Sequence, residues 1–198
     1  LSGVGDAAHL RPFGISVVAD LPGVGRNYQD HLETTVQGVA RHPISFFRQD
    51  KGWKAAKHMA QYLLFRTGLL TSNVVECGGF VDVSNSGTPD LQFHVLPFMV
   101  GWVDREPIQE HGITIGPCFL RPKSRGSVRL RSANARDPAL FDAGSFSDQN
   151  DLNVLVQGVR KGIEILEAPA LAKLIKHRAL PQPGIEKDDE ALKSYIRQ

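Results

Sequence analysis

The sequence predicts an α+β fold in which an antiparallel β-sheet of about five to six strands is backed by helices. Short segments rich in β-branched and aromatic residues follow one another through brief turn-forming connections, which favours antiparallel pairing. Residues 51–66 and 148–166 repeat apolar side chains at spacings of three and four, as amphipathic helices do. The 198 residues are 41% hydrophobic, which is enough for one sizeable core.

The first elements are short. Residues 5–11 predict a helix that ends before Pro12, and the apolar residues 15–19 predict a strand. The loop that follows, residues 20–31, is rich in Pro, Gly and Asn, which set or tolerate special backbone angles, so we expect a fixed path. Residues 32–41 favour a strand that stops at Pro43.

The middle of the chain alternates one helix with several strands. Residues 51–66 form the predicted helix, with Trp53 on its apolar side as an expected core residue. Strands are predicted at residues 79–83, 91–98, 112–120 and 127–131. We expect the 51–66 helix to back the sheet that these strands build.

The last third returns to helical patterns. Residues 148–166 carry one apolar stripe, and Ser147 or Asp148 can cap the start. Residues 169–177 predict a second helix. A last helix at residues 191–197 follows an acidic segment, which suits a helix N-terminus.

Composition excludes several classes of function. The net charge of +2 is too small to indicate nucleic acid as a partner, so a small-molecule site is expected. The two cysteines, Cys77 and Cys118, lie far apart without a CxxC pattern, so the sequence predicts neither a zinc or other metal site nor a disulfide framework, and a reduced, cytoplasmic protein is expected. The uncharged stretch near residues 91–103 is too short to span a bilayer. Because no initiator Met is present, we expect a piece of a longer protein.

Two motifs that suggest chemistry are better explained by structure. Gly3-Val-Gly5-Asp-Ala-Ala8 imitates a dinucleotide fingerprint but lacks the preceding strand and the long helix, so we interpret it as a turn into a short helix. The basic run at residues 121–131 has no aromatic residue for base stacking, which favours a solvated or salt-bridged strand face.

The strand at residues 91–96 offers a stronger candidate. Alternation places Gln92 and His94 on the face opposite Phe93. His94 is then either a sheet histidine satisfied by a neighbour or a group that hydrogen-bonds a substrate oxygen in a cleft.

Other candidates concern substrate binding. Glu76 precedes two glycines that leave room for a ligand, although a solvated loop carboxylate is the simpler interpretation. Phe98 and Trp102 could provide an aromatic wall for an apolar or cationic substrate.

Several segments, in the same order along the chain, resemble the glucose-methanol-choline (GMC) oxidoreductases, above all their choline and alcohol dehydrogenase branch. These segments are Leu1-Ser-Gly-Val-Gly5, Asp20-Leu-Pro-Gly-Val-Gly-Arg-Asn-Tyr-Gln-Asp-His31, Pro89-Asp-Leu-Gln-Phe-His94 and Pro122-Lys-Ser-Arg-Gly-Ser-Val-Arg-Leu-Arg131. The resemblance extends along nearly the whole chain.

The resemblance implies an FAD enzyme that oxidises a small-molecule alcohol by hydride transfer to the flavin. It assigns residues 1–31 to the end of the flavin-binding domain and a linker, residues 32–146 to the substrate-binding domain, and residues 147–198 to a helical segment that completes this domain. Asn27, Asp30 and His31 are expected beside the flavin. His94 corresponds to a histidine of the substrate pocket, with Glu76, Phe98 and Trp102 as further substrate-binding candidates.

Two family segments are missing, namely the N-terminal dinucleotide fingerprint and the segment with the catalytic histidine, which the family pattern expects after Gln198. We therefore expect this chain alone to bind no FAD and to be inactive. A quinone or peripheral membrane link of the parent, its electron acceptor and its oligomeric state stay open. The alternative is a stand-alone α+β module that binds a ligand or partner without redox activity.

Overall fold

The computed structural model describes residues 1–101 and 106–198. They form two compact units, Leu1–Leu32 with Arg121–Leu152, and Glu33–Leu120 with Asn153–Gln198. Residues 121–146, expected with the main sheet, thus group with the first 32 residues. The described strands are β1 (Val4–Gly5), β2 (Ala19–Asp20), β3 (Arg26–Tyr28), β4 (Val36–Ala40), β5 (Cys77–Val81), β6 (Leu91–Leu96), β7 (Gly112–Phe119), β8 (Gly126–Arg129), β9 (Leu140–Asp142) and β10 (Ile175–Leu180). The described α-helices are α1 (Ala7–Leu10), α2 (Gly52–Phe65), α3 (Gln149–Glu167), α4 (Pro169–Ala172) and α5 (Asp189–Ile196).

The first unit contains two small sheets. Strands β1 and β2 pair in parallel, and β3, β8 and β9 form an antiparallel sheet with β8 in the middle. The carboxylate of Asp20 accepts a hydrogen bond from the Ala7 backbone N–H at 3.0 Å, and Asp6 pairs with Arg26 at 3.0 Å. These contacts fix the 20–31 loop against the start of the chain.

The second unit is built on a five-stranded antiparallel sheet in the order β10-β4-β7-β6-β5. This confirms the predicted sheet. Helix α3 covers one face, where Val36, Ile115 and Val159 are fully buried. Two glycines let the helix approach closely, because a Cβ at Gly158 would lie 3.0 Å from Pro117 Cβ and one at Gly162 would lie 3.0 Å from Val36 Cγ2.

The helix that backs the sheet is a different one from that predicted. Helix α2 forms close to its predicted position but buries none of its residues, and Trp53 and Leu64 are 71% and 73% exposed. Trp53 is therefore not a core residue of this chain, and α3 takes the backing position. The apolar stripe of a helix shows which side seeks burial but not which partner it meets.

Three other predicted elements differ from the structure. The strand expected at residues 15–19 is reduced to Ala19–Asp20, and the strand expected at 127–131 joins the sheet of the first unit. Residues 175–177, predicted as the end of the 169–177 helix, instead begin β10 at the edge of the main sheet, since helix α4 ends after four residues. No helix within the described ranges is both long and apolar enough to cross a membrane.

Candidate functional site

The sheet face opposite α3 carries His94 on β6, next to the edge strand β5. His94 on β6 lies opposite Gly78 of β5 and Gly116 of β7, so a glycine flanks it on both neighbouring strands. Paired residues of antiparallel strands share a face. The imidazole therefore stands on a surface where its immediate cross-strand neighbours have no side chains, and its side chain is 29% exposed.

Glu33 holds one nitrogen of this imidazole. Its Oε2 lies 3.1 Å from His94 Nδ1. A carboxylate only accepts hydrogen bonds, so Nδ1 carries the ring proton and donates a hydrogen bond to Glu33. Within the described residues no bond is recorded for Nε2, which is left for a ligand.

Gly116 is needed for this arrangement. A Cβ at position 116 would lie 2.0 Å from Glu33 Oε1, so any other residue would displace the carboxylate. Glu33 reaches this place because it forms an isolated antiparallel bridge with Cys118 just before β4 begins. Cys118 is 3% exposed and is not part of a disulfide. A ligand atom from each of Glu33, His94 and Cys118 lies within 4.8 Å of the other two.

Glu76 lies in a neighbouring cavity. It directly precedes β5 and accepts a hydrogen bond from the Ser72 hydroxyl. The cavity has a volume of about 420 Å³, and its described lining residues are Phe46, Gly68, Leu69, Thr71, Ser72, Glu76 and Pro97. The carboxylate is therefore accessible to a molecule of moderate size.

Phe98 lines a second cavity, of about 550 Å³, together with Phe46, Phe47 and Asp50. Phe46 borders both cavities, which places Glu76 and Phe98 in adjoining spaces. His94 is not among the described residues that line either cavity. Trp102 lies outside the residues that the structure describes.

The three expected flavin-contact residues all lie in the first unit and are exposed. Asn27 has a left-handed backbone with φ of 61°, which asparagine tolerates better than most residues. Asp30 accepts a 2.6 Å hydrogen bond from the Tyr28 hydroxyl, and this bond raises the pKa of the Tyr28 phenol.

The glycine-rich part of the same loop has a structural explanation. A Cβ at Gly25 would lie 2.2 Å from the Val128 carbonyl oxygen, and the Val128 N–H donates to the Gly25 carbonyl at 2.7 Å. The loop therefore packs backbone to backbone against β8.

The Gly3-to-Ala8 segment forms the predicted turn and short helix. The Asp6 carboxylate accepts a hydrogen bond from the Ala8 N–H at 3.0 Å at the start of the four-residue helix α1. The Asp6 side chain thus caps the start of α1.

Sequence reasoning missed Glu33 and the role of Gly116. The two residues are 83 positions apart, and Glu33 is 61 positions from His94. The available signal was a glycine inside a predicted strand, which often marks a close approach of another group.

The comparisons with known proteins agree with this architecture. Residues 122–198 match the family model described as GMC oxidoreductase. Nearly the whole chain is similar to curated alcohol and choline dehydrogenases, and the chain thus resembles the GMC oxidoreductases.

Two curated relatives and one solved structure illustrate the relationship. The alcohol dehydrogenase [acceptor] of Pseudomonas putida is 42% identical over 195 residues, which cover 96% of this chain and 35% of the relative. The oxygen-dependent choline dehydrogenase of Brucella canis is 37% identical over 202 residues, covering 100% and 36%. A formate oxidase structure from Aspergillus oryzae RIB40, solved in work on FAD modification, has a TM-score of 0.86 at 19% identity, covering 98% of this chain and 39% of that one. The chain spans about a third of the length of these curated relatives.

Proposed function

We propose that this chain is the substrate-binding part of an FAD-dependent alcohol oxidoreductase. The matched family model and the names of the curated relatives support the reaction class, oxidation of an alcohol, here to an aldehyde. The observation that carries the proposal is His94, displayed between two glycines with Nδ1 held by Glu33 at 3.1 Å.

His94 binds and orients the alcohol oxygen in this proposal. With Nδ1–H bonded to Glu33, the second nitrogen Nε2 faces the ligand and accepts one hydrogen bond from the hydroxyl group. FAD, when bound in the whole protein, would supply the acceptor for the hydride of the carbinol carbon. The hydroxyl proton goes to a base of the whole protein. Together with the hydride, the alcohol therefore loses two electrons and two protons.

Asn27, Asp30 and His31 are proposed to contact FAD. They are exposed and belong to the loop that Gly25 fixes against β8. Their role is to hold a polar part of the cofactor through hydrogen bonds.

Glu76 and Phe98 are proposed to set the charge preference of the substrate. Glu76 contributes an accessible carboxylate, and Phe98 contributes an aromatic wall in the adjoining cavity. A carboxylate near aromatic rings favours an organic cation such as choline over a neutral alcohol. Trp102 stays a candidate for the same wall.

The test is steady-state oxidation of a panel of alcohols by the full-length protein, with choline and neutral primary alcohols included. His94→Ala should lower kcat/KM at least about tenfold, which corresponds to about 1.4 kcal/mol of lost transition-state binding. His177→Ala removes an exposed histidine of strand β10 and serves as the matched control.

Unchanged kinetics in the His94 variant would remove His94 from the site. If no alcohol reduces the flavin of the full-length protein, the alternative of a binding module without redox activity is favoured. Preference for neutral alcohols over choline would argue against the role of Glu76.

A further inference from the structure

We propose that Glu33, His94 and Cys118 form a binding site for a transition-metal ion of the Zn²⁺ type. A ligand atom of each residue lies within 4.8 Å of the other two. The three residues belong to the same unit and meet on the polar face of the main sheet.

The donor set suits zinc. Zn²⁺ binds thiolate sulfur, imidazole nitrogen and carboxylate oxygen, and sites with three protein ligands leave a fourth position for water or another ligand. Hard cations such as Mg²⁺ prefer oxygen ligands alone, so a site with sulfur and nitrogen selects against them.

The geometry needs little adjustment. Zinc–ligand bonds of about 2.0–2.3 Å in a tetrahedron place neighbouring ligand atoms about 3.3–3.7 Å apart. The Nδ1–Oε2 distance is already 3.1 Å, and the widest separation in the group, at most 4.8 Å, must close by roughly 1 Å. A metal would replace the Nδ1 proton and take up the thiol as thiolate, which releases protons to solvent.

The backbone holds the three donors in place. His94 and Cys118 lie on adjacent strands, two residues apart in register, because Gln92 pairs with Cys118 and His94 pairs with Gly116. The Glu33–Cys118 bridge brings in the third donor, and Gly116 leaves the space between them open for the carboxylate. Strand pairing thus fixes the donors, which makes a preorganised site rather than a chance contact of loops.

A metal at this position would affect catalysis. It replaces the hydrogen bond between Nδ1 and Glu33 and puts the remaining ring proton on Nε2, so Nε2 can no longer accept a hydrogen bond from the alcohol. We expect Zn²⁺ to inhibit alcohol oxidation reversibly. This part of the inference rests on the proposed function, whereas binding itself does not.

The test measures binding of Zn²⁺ and Co²⁺ to the full-length, FAD-loaded protein. Each of Glu33→Gln, His94→Ala and Cys118→Ala should weaken Zn²⁺ binding at least about tenfold. Co²⁺ should give a thiolate-to-metal charge-transfer band in the difference spectrum, and Cys118→Ala should lose it. Cys77→Ala and His177→Ala, which change the same residue types elsewhere in the sheet, should bind like the unchanged protein.

Equal affinity in all variants, or an equal loss in the Cys77 variant, would overturn the proposal. If Cys118→Ala loads less FAD because a buried residue was changed, Glu33→Gln decides, since it is nearly isosteric and its side chain is 25% exposed. Inhibition is expressed relative to the zinc-free rate of each variant. If the unchanged protein binds zinc but His94→Ala oxidises alcohols normally, only the proposed substrate role of His94 is refuted. If His94→Ala impairs oxidation but the unchanged protein binds no zinc, only the metal site is refuted.

Discussion

At the scale of single residues, the described site depends on the contact between His94 and Glu33. The imidazole alone could rotate or change its tautomer, but the carboxylate fixes Nδ1–H and so leaves Nε2 as the acceptor nitrogen. The strand pattern predicted the polar face that carries His94. It could not predict Glu33, because that contact depends on strand pairing over 61 residues.

A cluster of ion pairs around Arg178 predicts how the stability of the fold depends on pH. The Arg178 side chain is 5% exposed and pairs with Glu186 at 2.6 Å and with Glu167 at 3.2 Å. The backbone N–H of Glu186 itself, the Gly184 N–H and the Arg178 guanidinium stabilise the Glu186 carboxylate. These contacts outweigh the partial burial and lower the pKa of Glu186 below its usual value of 4.5.

A carboxyl group whose pKa is lower in the folded state stabilises the fold above its unfolded pKa. That contribution is lost as the pH falls through the lower, folded pKa. Glu186→Gln should therefore be less stable near pH 7, by about 2 kcal/mol, because Arg178 loses a charged partner. The gap to the unchanged protein should narrow as the pH falls below 4.5.

Urea unfolding followed by circular dichroism between pH 3 and pH 7 measures this gap, with those limits chosen to bracket the usual value of 4.5. Glu190→Gln, at a side chain that is 77% exposed, is the matched control. A gap that stays constant over the whole range would contradict the assignment to Glu186.

At the scale of elements, α3 and α2 have opposite roles although both are amphipathic. Ile163 of α3 is 5% exposed in the core cluster, whereas Leu64 of α2 is 73% exposed. Ile163→Ala should lower the free energy of unfolding of this chain by about 2–5 kcal/mol. Leu64→Ala should change it by no more than about 0.5 kcal/mol.

Denaturant unfolding of the two variants compares the helices directly. Similar losses from both substitutions would mean that α2 also packs on a core in solution. A negligible loss from Ile163→Ala would remove α3 from its backing position.

The elements differ in how well local sequence determines them. Helix α3 is predictable because its stripe is long and Asp148 accepts from the Asn150 N–H at 2.8 Å at its start; α5 is likewise capped by Asp188, which accepts from the Glu190 N–H at 2.9 Å. The sequence places residues 175–177 of strand β10 in a helix because a six-residue segment gives too little periodicity to separate helix from strand. Strands β3 and β9 have three residues each, and pairing with β8 defines them.

At the scale of the whole molecule, the chain corresponds to about a third of its curated relatives. The dinucleotide-binding unit of a flavoprotein needs a strand, a glycine turn and a full helix. The segment that imitates this pattern forms only the four-residue α1. Residues 1–198 expressed alone should therefore be colourless, whereas the full-length protein should bind FAD.

Visible absorption spectra of both purified proteins, followed by release and quantitation of the flavin, provide the measurement. Tight stoichiometric FAD binding by residues 1–198 would show that the cofactor site is contained in this chain. The domain roles proposed for residues 1–31 and 32–146 would then need to be exchanged or merged.

The place of the Glu33 carboxylate over Gly116 has a consequence for the history of this sequence. A methyl group at position 116 collides with the carboxylate, and a shorter residue at position 33 leaves His94 unsupported. Selection that maintains the contact therefore acts on positions 33 and 116 as a pair. A side chain gained at position 116 therefore displaces the Glu33 carboxylate and alters its contact with His94.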